Sequence, residues 1–450
     1  MSVLSVVAQI ASHAGQFTKA SPMSVGRINH TATLLQNGKV LVTGGQSGSE
    51  DIGNGYSMPI ILDSAELYDP VSDSWTQTGS LNVACEAHLA ILLTNGTVLV
   101  AGGQNFIITN NGYAVFPTAQ HLDSAEIYDP DTGTWTPTTD PPGTGLLGKP
   151  TLLADGRVFI AESKYGSLTD GVGIIYDPAA GSWATTSPGP YVGVSPSFTL
   201  ANGLVLAGGG TYDPITDTWS PVNGGGIGFG EAPVLLTNGM VLEEGDEGFP
   251  ENTSEIYDPG SNVWKDGPLL NIGRYNQATV ALANGKALTT GGNFGSPLGS
   301  AELFDPDTRT WQMTGSMTEP RFLHSATLLA DGKVLIVGGE KLGSINNLAD
   351  AEIYDDSLPT PLPAPIFLTH AGFTPSGYFQ FEFTNTPGVS FTVYSTPDFS
   401  RPFATPYTGY LQGSPWWQDH GEPVQISPGH YQFTDSQPSP FFQVYRVTSP

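Results

Sequence analysis

Cysteine occurs once in 450 residues, at Cys85, which excludes an intrachain disulfide and any cysteine-built zinc cluster. A lone thiol of this kind is expected to be a buried structural residue. Basic residues are scarce. The 15 Lys+Arg stand against 42 Asp+Glu, a formal net charge of −27. A surface so negative repels phosphate polymers and anionic lipid, so no nucleic-acid partner is expected. Long apolar runs are also missing, and none approaches the roughly 18 residues of a membrane span. The stretch Val3–Ile10 is apolar but has no basic residue before Lys19, a poor signal peptide. Low Lys with abundant Thr, Gly and Asn nevertheless points to an extracellular or cell-surface protein, with a cytoplasmic one as the alternative.

What the chain does contain is repetition. The sentence HTATLLQNGKVLVTGGQ…SAELYDPVSDSW, running from His30 to Trp75, is written again and again. Its third-strand turn recurs at Tyr68-Asp69-Pro70, Tyr128-Asp129-Pro130, Tyr176-Asp177-Pro178, Tyr212-Asp213-Pro214, Tyr257-Asp258-Pro259 and Phe304-Asp305-Pro306, with a decayed copy at Tyr354-Asp355-Asp356. A tryptophan follows the proline by five residues in all but the last: Trp75, Trp135, Trp183, Trp219, Trp264 and Trp311. Asn-Gly or Asp-Gly sits earlier in every unit, from Asn37-Gly38 to Asp331-Gly332. That dipeptide tolerates positive φ at both central positions and predicts a two-residue hairpin. The flanking runs, such as ATLL and VLVTG, are short and β-branched, as strands require. A Gly-Gly pair closes the second strand in most units, among them Gly44-Gly45, Gly102-Gly103 and Gly338-Gly339. It lets backbones approach closely.

Seven four-stranded units in series imply an all-β fold, a seven-bladed β-propeller. The Gly-Gly, the Tyr and the following Trp, at this spacing, resemble the Kelch repeat family over residues 14–356. The seventh unit stops without its tryptophan. Near the other end, Phe17 precedes His30 by thirteen residues, as Trp75 precedes His88 and Trp311 precedes His324. The N-terminal segment is therefore expected to supply the outer strand of the last blade, removing an open sheet edge. Residues 1–13 are expected to be a disordered tail. A Pro-rich linker, residues 357–365, leads to residues 366–450, where aromatic density rises and alternation at 378–383, 390–394 and 442–447 predicts a small β-sandwich.

On such a ring the Asn-Gly hairpins and Asp-Pro turns share one face. The loops after Gly-Gly and after each Trp share the other, which carries the long insertions 46–63, 104–123 and 341–349. These belong to blades 1, 2 and 7, neighbours that should form one wall. The blade 2 insertion is apolar and aromatic. It is expected either to cover the channel mouth or, preferably, to pack on the C-terminal module. The Gly-rich stretch Gly224–Gly230 has no following helix to cradle a phosphate and is taken as a connection.

The candidate binding residues lie on the same face. His30, His88 and His324 start the inner strands of blades 1, 2 and 7, with Arg27 and Arg321 three residues before two of them and Arg274 in blade 6. Converging imidazoles suit a metal or an acid/base site; the preferred reading is a local hydrogen-bonding role. Glu162 and Asp246 replace glycines of the pair, Glu231 takes the histidine place in blade 5, and Glu243 and Glu244 stand beside Asp246. Paired carboxylates suit general acid/base work or Ca²⁺, but solvated surface acids are the expectation at this net charge, and no calcium-loop motif is present.

Within Kelch-like propellers, the galactose oxidase family implies copper at the channel mouth, held by a cysteine-linked tyrosine, a Tyr-His pair and a further histidine. Here EPRFLHSATLL offers His324 but Leu323 in place of the tyrosine, and Tyr275 and Cys85 fall out of register. No catalytic residue, metal or cofactor is therefore assigned. The expected function is a monomeric, non-enzymatic binding or scaffold protein that recognises a protein or a glycan through the long-loop face. The alternative is a carbohydrate-active enzyme, an oxidase, lyase or epimerase, working at the channel mouth.

Overall fold

A computed structural model describes residues 14–359, apart from 54, 111–114, 143–147, 164–170, 190–195, 225–232, 246–251 and 342–346, and seven strands beyond them. Two compact units divide the chain. His13–Leu358 forms one, and the strands beyond Pro359 belong to the other. No helix occurs among the described residues, and none is long and apolar enough to cross a membrane.

The first unit is the seven-bladed propeller. Blade 1 orders Thr31–Leu34, Val40–Thr43, Ala65–Asp69 and Ser74–Gln77 from the channel outward, all antiparallel. Blades 2 to 6 repeat this order. In blade 7 the strand Ala14–Ala20 lies outside Ala351–Pro359, so the first strand of the chain completes the last blade as the thirteen-residue spacing predicted. Phe17 stacks on Tyr354 with centroids 4.9 Å apart, standing in for the Tyr–Trp pairs of other blades, such as Tyr68–Trp75 at 5.0 Å. The second strands of blades 1, 2 and 7 are buried throughout, and their Val, Leu and Ile fill the space between adjacent blades.

The hairpin turn differs from its prediction. Only the glycine has positive φ (Gly38 at 81°, Gly332 at 88°), while Asn37 and its counterparts do not. Leu35 N–H donates to the Lys39 carbonyl and Gly38 N–H to the Leu35 carbonyl, so three residues form the loop. This is a type I turn closed by a left-handed glycine. The asparagine is used for its side chain: Asn37 Oδ1 accepts from Lys39 N–H at 3.0 Å, and Asp331 Oδ1 does the same from Lys333.

The second unit contains a four-stranded sheet, ordered Leu368–Phe373, Phe379–Thr384, His430–Asp435 and Val424–Ser427, and a three-stranded one, ordered Gln418–Asp419, Thr392–Thr396 and Val444–Thr448. The tail 1–13 lies outside the described residues.

Candidate functional site

Three blades use a buried arginine to tie their entry loop down. Arg27 Nη1 donates to the Gly44 and Ser64 carbonyls, and Nη2 meets the Glu66 carboxylate at 2.9 Å. Arg274 repeats this with Gly291, Ser300 and Glu302, and Arg321 with Gly338, Asp350 and Glu352. All three are 0% exposed. Their terminal guanidinium nitrogens are engaged inside the blades. Blade 2 has Cys85 at this position, and its Glu126 is held instead by the Asn82 and Val83 N–H groups and the Asn82 amide. Burial, helped by the Glu126 charge, pushes the Cys85 thiol up to about 12. It is the inert structural thiol expected from the sequence.

The histidines follow a residue in the left-handed region: Asn29 (φ 52°), Ala87 (50°) and Leu323 (55°). From there each ring turns onto the preceding blade. His30 Nε2 lies 2.8 Å from Ser325 Oγ in blade 7, and His88 Nε2 lies 2.8 Å from Thr31 Oγ1 in blade 1. Ser325 and Thr31 occupy the same repeat position. In blade 6 that position is Ala278, which has no hydroxyl, and His324 Nε2 reaches Thr290 Oγ1 at 2.9 Å instead. The three imidazoles make three separate joints between blades. No group of three or more His, Cys, Asp or Glu among the described residues is placed to share a metal ion.

These rings also account for the first glycine of three pairs, Gly44, Gly291 and Gly338. A Cβ on Gly338 would stand 2.6 Å from His30 Cε1, and one on Gly44 would stand 2.8 Å from His88 Cε1. Glycine is needed where the next blade's histidine lies.

Burial, with the charges of Arg27 and His88, lowers His30 to about 3; burial lowers His88 to about 4 and His324 well below its ordinary value. All three are neutral at pH 7. The unfolded imidazole takes its proton near 6.5, so between that pH and about 3–4 the unfolded chain binds more protons than the folded one. The stability present above pH 6.5 is thus expected to fall as pH drops toward 4. Thermal scans across pH should show a shallower slope for His88→Gln than for the parent.

The acids divide differently from the surface expectation. Glu231 and Asp246 lie outside the described residues. Glu243 and Glu244, taken from the sequence as solvated, are 6% and 1% exposed, because they sit on the second strand of blade 5, whose residues all point into blade-to-blade contacts. Burial raises Glu244 to about 7. Glu162 is half-buried and likewise raised to about 7 by burial, with its Oε2 unpartnered. It occupies the first-glycine position of blade 3, and in the sequence the histidine place of the next blade is a serine, Ser195. Sequence reasoning missed Glu86 and Lys149. Glu86 is 2% exposed at the start of blade 2 and accepts from Asn29 Nδ2 and Gln104 Nε2. Lys149 precedes the inner strand of blade 3. It is exposed, yet the protein packed around it disfavours its charged form and lowers its pKa.

The insertions of blades 1 and 2 are hairpins, Gln46–Gly53 with Tyr56–Ile61 and Gln104–Asn110 with Val115–His121. Strand Tyr56–Ile61 runs against Val115–His121, and the Tyr56 and Phe116 rings meet at 6.4 Å. The two insertions form one wall, as their neighbouring blades predicted. Tyr56, Ile60, Ile107 and Ile108 are exposed on it, Ile108 by 57%. The third insertion falls partly outside the described residues.

The Kelch motif model matches residues 29–82 and 87–142, which cover blades 1 and 2. No curated protein matches the chain. Among solved structures, it is similar to a novel fungal alcohol oxidase with catalytic diversity among the AA5 family, in complex with copper, at 17% identity and a TM-score of 0.58, over 94% of this chain and 93% of that one. At that identity the likeness is one of fold. The residues here do not fit the copper set of the galactose oxidase resemblance. Cys85 is sealed in blade 2 beside Glu126, Tyr275 stands in blade 6, Leu323 fills the axial tyrosine's place, and His324 is engaged with Thr290.

Proposed function

We propose, from the premise that this chain is a seven-bladed β-propeller whose first two blades match the Kelch motif, that it is a non-enzymatic binding protein whose ligand, a protein or a glycan, docks on the insertion wall of blades 1 and 2. One observation carries this reading: four of the chain's exposed large apolar side chains, Tyr56, Ile60, Ile107 and Ile108, gather on two hairpins that touch each other. The other exposed large apolar side chains among the described residues, Val71, Ile215 and Leu269, are scattered singly, which is ordinary for a protein surface. Solvent-facing isoleucines clustered on a rigid scaffold are the mark of a contact surface. Neither hairpin contains Lys or Arg, while Glu50 and Asp51 are exposed at the tip of the first. The histidines and arginines of the channel mouth, by contrast, are consumed in joints.

The test is binding of the full chain to glycan and protein arrays, beside the variant Ile107→Ser/Ile108→Ser. The variant should keep its melting temperature, since each change at an exposed site is within about 0.5 kcal/mol, and should lose the array signal at least tenfold. Equal binding by both proteins overturns the docking surface. Peroxide release from an alcohol or sugar by copper-loaded protein overturns the non-enzymatic reading.

A further inference from the structure

Blade 5 breaks the interior pattern of the ring. Where blade 1 has Val42 and Thr43 and blade 7 has Ile336 and Val337, blade 5 has Glu243 and Glu244. Glu244 is 1% exposed and faces the inner strand of blade 6. Its Oε1 accepts from Thr279 Oγ1, and the Thr289 hydroxyl also bonds the carboxylate. Thr279 Oγ1 lies 3.2 Å from Thr289 Oγ1, so the two hydroxyls and the carboxylate form one cluster. The second oxygen, Oε2, is buried without a partner.

Gln277 stands two residues before Thr279 and so on the same side of the strand. Its Nε2 donates to the Glu244 main-chain carbonyl at 3.0 Å, which fixes the amide and leaves Oε1 buried and unpartnered. Two desolvated acceptors thus stand at one inter-blade seam, and among the described residues neither accepts a hydrogen bond. Leaving one such atom unmatched is costly, and leaving two marks a missing partner. The guanidinium of Arg274 acts on Glu244 through its charge, but its terminal nitrogens are engaged with Gly291, Ser300 and Glu302, the Glu302 carboxylate matches its charge, and its Nε–H, also buried, bonds neither oxygen.

We propose that Glu244 Oε2 and Gln277 Oε1 hold a hard metal cation of the calcium class at the seam between blades 5 and 6, with the hydroxyls of Thr279 and Thr289 fixing the carboxylate. Every available donor is oxygen, with no imidazole or thiolate, which selects calcium or an alkali ion over zinc or copper. One carboxylate among neutral oxygens makes the site modest in affinity, with water completing the shell. Cation and proton compete for the same carboxylate, so binding releases a proton and weakens as pH falls. The charged groups that act on Glu244 are Arg274, which favours its ionised form, and Glu302, which opposes it. The cation would brace two blades at a seam where Gln277 stands in the place of the histidine that joins blades at three other seams.

The test uses the full chain after chelator treatment, unfolded thermally with calcium, magnesium, sodium or potassium chloride at matched ionic strength, with choline chloride as control. Millimolar calcium should raise the midpoint by several degrees, and titration calorimetry should give one site per chain. Glu244→Gln, of nearly the same shape, should lose the shift. Gln277→Leu should weaken calcium at least tenfold and provides the readout if Glu244→Gln does not fold. A shift with sodium or potassium but not calcium keeps the site and moves the class to an alkali ion. The proposal falls if no cation moves the midpoint, or if both variants respond like the parent; a proton on Glu244 then remains as the partner of the cluster.

Discussion

Replacing Arg321 with methionine is expected to lower the stability of the propeller by about 3–5 kcal/mol. The arginine is completely buried and pairs with Glu352 at 3.0 Å, whose side chain is 1% exposed. Removing the cation strands a carboxylate that water cannot reach, with only the Thr318 and Glu319 N–H groups left to it. The Gly338 carbonyl loses its donor at the same time, and the Asp350 carbonyl is left with the Gly338 N–H at 3.3 Å. Adding Glu352→Gln should restore more than half of the loss, because a neutral amide still accepts from the loop and leaves no buried charge. Urea midpoints of the two single variants and the double variant measure the coupling directly. Purely additive losses would show that the pair is not the unit of stability described above.

Gly338→Ala should be at least as damaging, at about 3 kcal/mol or more. Two effects combine. The residue has φ 73°, which an L side chain adopts with strain, and the added methyl would lie 2.5 Å from the Arg27 carbonyl and 2.6 Å from His30 Cε1. Gly332→Ala is the control. Its φ of 88° brings similar strain, but a Cβ there meets nothing within 4 Å, so its cost should stay near 1 kcal/mol. Thermal unfolding of the two proteins separates backbone strain from collision with the neighbouring blade. Equal losses would mean that the histidine joint tolerates the methyl, and the account of the glycine pair would fail.

The ring was legible because its landmarks recur in register. Tyr-Asp-Pro, the tryptophan and Asn-Gly each repeat with the blade, and the thirteen residues from Phe17 to His30 were enough to place the closing strand. The insertion wall was legible too, since a loop can be recognised by interrupting a repeat. The work done by single side chains was not. His30 meets Ser325 across 295 positions, and nothing local in either segment announces the partner. The change of partner at His324 follows from Ala278, a residue with no polar atom to attract notice. Glu244 was misread because acidic composition suggests a wet surface, whereas its strand position decides its burial. Asn37 was assigned the wrong turn because Asn-Gly fits two hairpin geometries, and the choice between them depends on the Lys39 N–H it binds.

The strand Ala14–Ala20 sets the order of events during synthesis. It is made before any blade exists, and its place opens only when Ala351–Pro359 has been added. Until then blade 7 has no outer strand and the forming ring keeps an unpaired edge, a period in which pairing with another chain competes with closure. Closing a loop of this length adds little to equilibrium stability but slows the final step. A polypeptide whose termini were relocated to the turn between two complete blades would have every blade local in sequence, and would exchange a slow, secure closure for a faster one that opens more readily.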